Sequence, residues 1–363
     1  MARIRIQTLF LISLGLFVLA ACNYPGFQES SISRDLAGSI VKFLPGAAVT
    51  PTPFQPVKDP TGSELLSSVS PDNLRWRVEN CPDFPPPSQG SYIDLPEPVC
   101  PQLPEPENQF DILLLGSDQR AETGGFRTDI MILLTLNPAQ NTISMTSFPR
   151  DLYVYIPGWS MQRVNTAHAH GGFEATQLTY QYNFGVRPDR YVMINFGAFQ
   201  DLITSLGGID VQVAESLTDH RSGYGSYTVP AGLTHMDAET ALWYVRSRYS
   251  TSDFERNQRQ QEVLVAIFNR LISLDGISRA PEIFGLYKES VTTDLTFPEM
   301  LQYLPLAGQL LDGNNVRRYS IGRPQVTSWR TPGGAQVLLP NREAVLAVMQ
   351  EALNSQQPGP SVQ

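Results

Sequence analysis

The chain is poor in the residues that most metal and thiol chemistry depends on. Its 363 residues include 3 cysteines and 4 histidines. They form no Cys-x-x-Cys pair and no cluster with metal-ligand spacing, which argues against a zinc or iron–sulfur protein. Positive charge is also short, with 26 Lys and Arg against 35 Asp and Glu and a net charge of −9. So anionic a body gains no counterion-release affinity for nucleic acid, which excludes general nucleic-acid binding. Any anionic ligand must instead be held by a local gathering of arginines. No apolar run reaches the roughly 20 residues that a membrane-spanning helix needs. The longest, from Thr8 to Ala21, would extend about 21 Å as a helix. A phosphate-binding P-loop, a dinucleotide fingerprint, a nucleophilic serine motif and internal repeats are absent as well. His168 and His170 lie in a polar stretch without a third ligand and read as loop residues. His220 and His235 have no nameable partner, and Gly124-Gly125 and Gly171-Gly172 read as loop glycines.

What is present begins with export. Arg3 and Arg5 precede the apolar run, which ends in small residues, the layout of a secretory signal. Leu19-Ala20-Ala21-Cys22 resembles a bacterial lipobox, in which Cys22 is acylated and becomes the new N-terminus. An ordinary cleaved signal or a short signal anchor would use the same layout. Loss of the first 21 residues removes two arginines and leaves a charge of −11. Acyl chains would hold the protein on the outer face of the cytoplasmic membrane, each buried methylene contributing about 0.8 kcal/mol. Cys81 and Cys100 then remain, an even number that suggests a disulfide in an exported chain, the alternative being two free thiols. The constraint would be worth about 3 kcal/mol on the chain-entropy model.

Fifteen of the 29 prolines fall between Pro45 and Pro106. Residues 23–108 therefore read as an extended stalk, whose later half, with Trp76, Cys81, Tyr92 and Cys100, docks as a bridged cap. A single folded domain is expected over 109–355, followed by a polar tail, 356–363. Within it, Phe110–Leu115, Ile130–Leu136, Thr142–Thr146 and Tyr191–Phe196 read as strands and Phe199–Leu206 as a helix. Gly207-Gly208 caps that helix, and Ile209, Val211 and Val213 follow at strand period. Strands interleaved with helices make the fold α/β.

If the first three strands form a meander, one end of the sheet collects Asp118, Arg120, Arg127, Asp129, Arg150 and Asp151. Carboxylates beside guanidiniums suit an anionic ligand carrying a divalent cation. A solvated, salt-bridged loop edge would look the same. A second cluster follows: Asp237 caps a helix leading to Arg246-Ser247-Arg248, and Ser252-Asp253-Phe254-Glu255 is a capping box opening another helix. On that helix Asp253, Arg256 and Gln260 share one face, continuous with a stripe of Leu264, Ile267, Phe268 and Leu271 expected to pack on the sheet. Arg256 therefore points toward protein and needs an anion, unless Asp253, Arg256 and Arg259 form an internal ion pair.

Seven stretches occur in an order that resembles the LytR-CpsA-Psr family: Gly116-Ser117-Asp118-Gln119-Arg120, Phe126-Arg127-Thr128-Asp129, Phe148-Pro149-Arg150-Asp151, Val164-Asn165-Thr166-Ala167, Leu206-Gly207-Gly208-Ile209-Asp210, Tyr244-Val245-Arg246-Ser247-Arg248, and 253–260. The resemblance is close over about 109–275 and weaker to about 350. It implies an α-β-α sandwich around a central mixed, largely antiparallel sheet. It also implies an extracytoplasmic, membrane-attached phosphotransferase, which moves a glycopolymer from a polyprenyl pyrophosphate carrier to peptidoglycan with Mg²⁺, or with Mn²⁺ in its place. By this resemblance Asp118 and Asp129 lie at the metal with Arg127 beside them. Arg150, Arg246 and Arg248 bind pyrophosphate, Asp253 and Gln260 complete the head-group site, and Arg120, Arg256 and Arg259 support it. Ala238 departs from the glycine common at that position, and the lipobox and stalk replace the usual transmembrane anchor. A carrier-binding protein without catalysis and a pyrophosphatase-like hydrolase would use the same arginines. An apolar tunnel for the polyprenyl tail is expected beside Phe199–Leu206 and Leu264–Leu271.

Overall fold

Short apolar runs bounded by turn residues become strands, and the sheet they build places everything else. A computed structural model of the chain describes residues 84–88, 95–118, 127–248, 252–273, 291–307 and 316–354. Cys22, Cys81 and Arg120 lie outside the described residues, as do the leader and the polar tail. In chain order the strands β1 (Phe110–Ser117), β2 (Thr128–Asn137), β3 (Thr142–Ser147), β4 (Tyr153–Tyr155) and β5 (Met161–Arg163) precede helix α1 (Ala167–Phe184). Next come β6 (Arg190–Asn195), α2 (Phe196–Ser205), β7 (Ile209–Val213), β8 (Leu217–Arg221), β9 (Gly225–Val229), β10 (Gly232–Met236), α3 (Ala238–Arg246) and α4 (Asp253–Ser273). The described chain closes with β11 (Thr292–Thr293), α5 (Phe297–Ala307), β12 (Val316–Ser320), β13 (Val326–Arg330), β14 (Gln336–Pro340) and α6 (Arg342–Leu353).

The central sheet has six strands in the order β11-β6-β1-β2-β3-β12. β1 pairs parallel with β6 and β3 parallel with β12, while the remaining pairs are antiparallel. Successive side chains alternate between faces. Leu113, Leu115, Met131 and Leu133 face one side, where Tyr180 and Phe184 of α1 and Val345 and Met349 of α6 cover them. Ile112, Ile132, Leu134, Ile143 and Met145 face the other side, with Leu264 and Phe268 of α4 and Leu306 of α5. Burial on both faces explains why these strands read as nearly unbroken apolar runs. The result is the expected α-β-α sandwich around a mixed sheet. No helix among the described residues is long and apolar enough to cross a membrane.

The stripe on α4 divides between two cores. Leu264 and Phe268 meet the sheet, but Ile267 and Leu271 join a separate cluster built from α2, α3 and β7 to β10. The strand expected to reach Phe196 stops at Asn195, whose side chain accepts from the Ala198 amide at 2.9 Å and starts α2 three residues before the apolar pattern does. His168, His170 and Gly171-Gly172 are not in a loop. They sit in the first turns of α1, where Gly172 at φ 64° breaks the helix and His170 stacks on Trp159 with ring centroids 4.3 Å apart. Two cap signals act as expected. Asp237 accepts from the Thr240 amide at 2.8 Å, and Ser252 and Glu255 cap each other's backbone.

The described part of the Pro-rich stretch lies against the folded unit. Val99 N–H donates to the Tyr182 carbonyl and Leu103 N–H to that of Gly185, and Phe84 packs edge-on against Tyr182. Cys100 is disulfide-bonded. Nearby, Asp111 is fully buried at the start of β1, accepting from Thr135 Oγ1 and Gln109 Nε2. Burial, more than the neighbouring Glu105 and Asp189 carboxylates, pushes Asp111 up to about 7 against the two hydrogen bonds. A carboxyl whose folded pKa exceeds its unfolded value stabilises most in its neutral form. That contribution is therefore complete below the unfolded value and is lost as pH rises through about 7. Thermal melting across pH 4–8 is expected to show this decline, and Asp111→Asn is expected to flatten it.

Candidate functional site

β1 runs parallel to β6 and to β3, so their C-terminal ends share one edge with the N-terminal end of β2. Ser117 lies opposite Asn195, Ser147 opposite Ile132, and Ser320 beside Ser147. This edge is where the sequence gathers Asp118, Arg127, Asp129, Arg150 and Asp151. A β-bulge aims one of them. Gly116 pairs with Ile130 but Ser117 pairs with Thr128, which leaves Asp129 as the extra residue. Gly116 is needed for this approach, because a Cβ there would lie 2.9 Å from the Ile130 Cβ.

Arg150 is the hub. Its Nη1 lies 3.0 Å from Asp129 Oδ2, and its Nε lies 3.5 Å from Asp151 Oδ2 and 3.6 Å from Asp253 Oδ2. Burial favours the neutral guanidine, yet the three carboxylates outweigh it and hold Arg150 above its ordinary value. Asp253, the first residue of α4, also pairs with Arg256 at 3.3 Å. Arg256 is buried, and its pKa is lowered by burial first and then by the positive charges of Arg150 and Arg248, against Asp253 and Asp129. Two further guanidiniums thus act against the charge on Arg256. Arg150 Nε is engaged by two carboxylates, but the buried Arg256 Nε lacks a hydrogen-bond partner, as does the buried Ser117 hydroxyl. Converging positive charge with unspent donors is what an oxyanion would satisfy.

The other expected residues are placed as follows. Asp118 accepts from the Arg127 amide at 2.7 Å and faces the Arg127 guanidinium at 3.6 Å. Arg246, at the end of α3, lies 4.3 Å over the Phe196 ring, at the same edge because Phe196 follows Asn195. Arg248 is exposed two residues on. Gln260 is buried and donates to the Val245 carbonyl at 3.3 Å, so its amide supports the end of α3. The ion pair among Asp253, Arg256 and Arg259 forms only in part. Arg259 turns away and donates to the carbonyls of Tyr244, at 3.0 Å, and Ser247.

Two residues had no assigned role in the sequence. Asn165 donates to Asp129 Oδ1 at 3.3 Å, while its own Oδ1 is buried without a hydrogen-bond partner. Arg163 lies 3.0 Å from Asp151 Oδ1. Asn165 lies within a recognised stretch, but nothing in its spacing ties it to Asp129, 36 residues earlier.

Against known proteins, the model of the LytR_cpsA_psr family matches residues 92–347. The chain is 32% identical over 218 residues to the polyisoprenyl-teichoic acid–peptidoglycan teichoic acid transferase TagT of Bacillus subtilis, covering 58% of this chain and 68% of that protein. It is 34% identical over 207 residues to the TagU transferase of Oceanobacillus iheyensis, covering 55% of this chain and 63% of that protein. The crystal structure of B. subtilis TagV matches with a TM-score of 0.56 and 30% identity, over 69% of this chain and 98% of that one. TagT bound to LIIa-WTA matches with a TM-score of 0.54 and 28% identity, over 68% of this chain and 91% of that one.

Arg259 separates support from chemistry. Arg259→Leu would leave the Tyr244 and Ser247 carbonyls without their donor and is expected to cost about 1–3 kcal/mol, read as a lower melting temperature.

Proposed function

The chain belongs to the LytR-CpsA-Psr family, and we propose that it transfers a glycopolymer from a polyprenyl pyrophosphate carrier to a sugar hydroxyl of peptidoglycan. The observation that carries this reading is the convergence of Arg150, Arg248 and Arg256 with unspent buried donors at one edge of the sheet. The named activities of the TagT and TagU relatives support it, as does the polyprenyl-linked class of ligand their names specify.

The reaction places strong demands on charge. A sugar hydroxyl oxygen attacks the phosphorus next to the glycan, and the bond from that phosphorus to the bridging oxygen breaks. Polyprenyl phosphate leaves with the electron pair, and a phosphodiester joins glycan to acceptor. Arg150 and Arg256 are fixed before substrate arrives, by Asp129, Asp151 and Asp253. They therefore stabilise the departing phosphate without reorganising. Arg246 and Arg248, at the exposed rim, would bind the second phosphate. Either Asp118 or Asp129 accepts the hydroxyl proton. Asp118 is already tied to Arg127 and Asp129 to Arg150, so each carboxylate has a cation to balance its charge between turnovers.

No three His, Cys, Asp or Glu side chains converge as a metal site among the described residues. The oxygen set of Asp118, Asp129 and the unpartnered Asn165 Oδ1 nevertheless suits a hard cation whose remaining ligands are water and phosphate. Mg²⁺, or Mn²⁺, held there would neutralise phosphate charge. For the polyprenyl tail, Leu114, Ile130, Val192, Leu264 and Phe268 are only half-buried although they lie between the sheet and α4, which supports an apolar passage there. Lipid anchoring through Cys22 would keep the protein at the outer face of the cytoplasmic membrane, where a polyprenyl-linked carrier lies.

The test is product identity. Full-length protein given a polyprenyl pyrophosphate glycan and peptidoglycan is expected to yield the phosphodiester conjugate. Release of free glycan phosphate with polyprenyl phosphate would mark a hydrolase, and uptake without product would mark a carrier-binding protein. Arg248→Ala is expected to lower transfer at least about tenfold, the loss of a charged phosphate contact worth about 1.5–3 kcal/mol, with the melting temperature unchanged.

A further inference from the structure

A groove of about 540 Å³ opens beside the arginine hub, between the head of α4 and the β13–β14 hairpin. Its volume falls within the roughly 300–1,000 Å³ of small-ligand sites. Asp151 and Asp253 form one wall and Trp329, Ser328 and Gln336 the other, with Phe254 beside them. Both carboxylates also face Arg150, so the groove and the phosphate site share a boundary.

The chemistry of the two sides differs. Toward the sheet edge lie clustered guanidiniums, and toward the groove lie two carboxylates, amide and hydroxyl groups, two aromatic rings and a single guanidinium, Arg330. Trp329 is the notable member: it is 39% exposed, although tryptophan offers the largest apolar surface of any side chain. It is not loosely held, since its ring lies 5.7 Å from that of Tyr153 and its backbone pairs with Val337. Asp151 is fixed by Arg163, whose guanidinium also donates to the Gln336 carbonyl at 2.6 Å. Arg163 therefore ties the hairpin to the wall of the phosphate site, together with the Leu338 N–H, which donates to the Asp151 carbonyl at 2.9 Å. A fixed, half-open indole flanked by carboxylate and amide groups matches a pyranose ring. One face of such a ring is lined with C–H groups, and its rim carries hydroxyls.

We propose that this groove holds the acceptor saccharide, with a sugar face on Trp329 and hydroxyls on Asp151, Asp253 and Gln336. The inference rests on the phosphotransferase reading and adds the place where the second substrate lies. The donor also carries sugar, but its diphosphate belongs with the clustered guanidiniums on the far side of the Asp151–Asp253 boundary. A hydroxyl-rich strand seated in the groove brings its attacking oxygen to the phosphate site across the shared Asp151–Asp253 boundary.

The test uses full-length protein, short peptide-free oligosaccharides cut from peptidoglycan, and a short-chain polyprenyl pyrophosphate glycan. Trp329→Ala is expected to raise the acceptor KM at least tenfold with the donor KM within twofold, and Trp329→Phe is expected to recover most of the loss. Calorimetry with the oligosaccharide alone, without donor, is expected to show a matching loss of affinity in Trp329→Ala. That titration judges the groove even if no transfer product forms. An unchanged acceptor KM and affinity would overturn the proposal, and so would a shift confined to the donor KM, which would assign the groove to the donor glycan.

Discussion

The contact on which the rest depends is the one between Arg150 and its three carboxylates. Asp129 comes from a bulge in β2, Asp151 from the turn after β3, and Asp253 from the head of a helix a hundred residues later. One guanidinium thereby fixes the position of α4 relative to the sheet at the edge where the chemistry gathers. Gln261 repeats the tie from two turns further in, donating to Ser147 Oγ at 2.8 Å and to the Tyr319 carbonyl at 2.9 Å. Position is therefore set by polar contacts near the site and by apolar packing of Leu264 and Phe268 beyond it.

Charge at that edge is deliberately unbalanced. Carboxylates hold Arg150 firmly cationic, while burial and two neighbouring guanidiniums work against the charge on Arg256. A protein that repels itself locally spends stability to keep a place for an anion, and a bound diphosphate would return that stability. This resolves the apparent conflict between an acidic chain and an anionic substrate, since the excess of acid lies elsewhere.

Much of the architecture could be read from pattern. The apolar runs of β1, β2 and β3, the caps at Asp237 and Ser252, and Gly207-Gly208 each carry a local physical signal that a single sequence preserves. Gly208, at φ 89°, could not be replaced easily, since a Cβ there would lie 2.6 Å from His235 Nε2. The first turns of α1 could not be read, because Gly171-Gly172 interrupts the helical pattern where the helix itself kinks. The bulge at Asp129 was equally silent, since a one-residue shift in pairing leaves the apolar run of β2 intact. Asn165 and Trp329 gain meaning only from residues distant in the chain.

The sheet also has a consequence for how the polypeptide is finished. Its two border strands, β11 and β12, come after residue 290, while the four between them are complete by Asn195. A chain emerging N-terminus first therefore exposes the open backbone of β3 and β6 until its last fifth arrives. Unpaired borders of this kind recruit strands from neighbouring molecules. During synthesis the half-built layer must be kept apart from its own copies, a burden that ends when residues 292–320 close both margins.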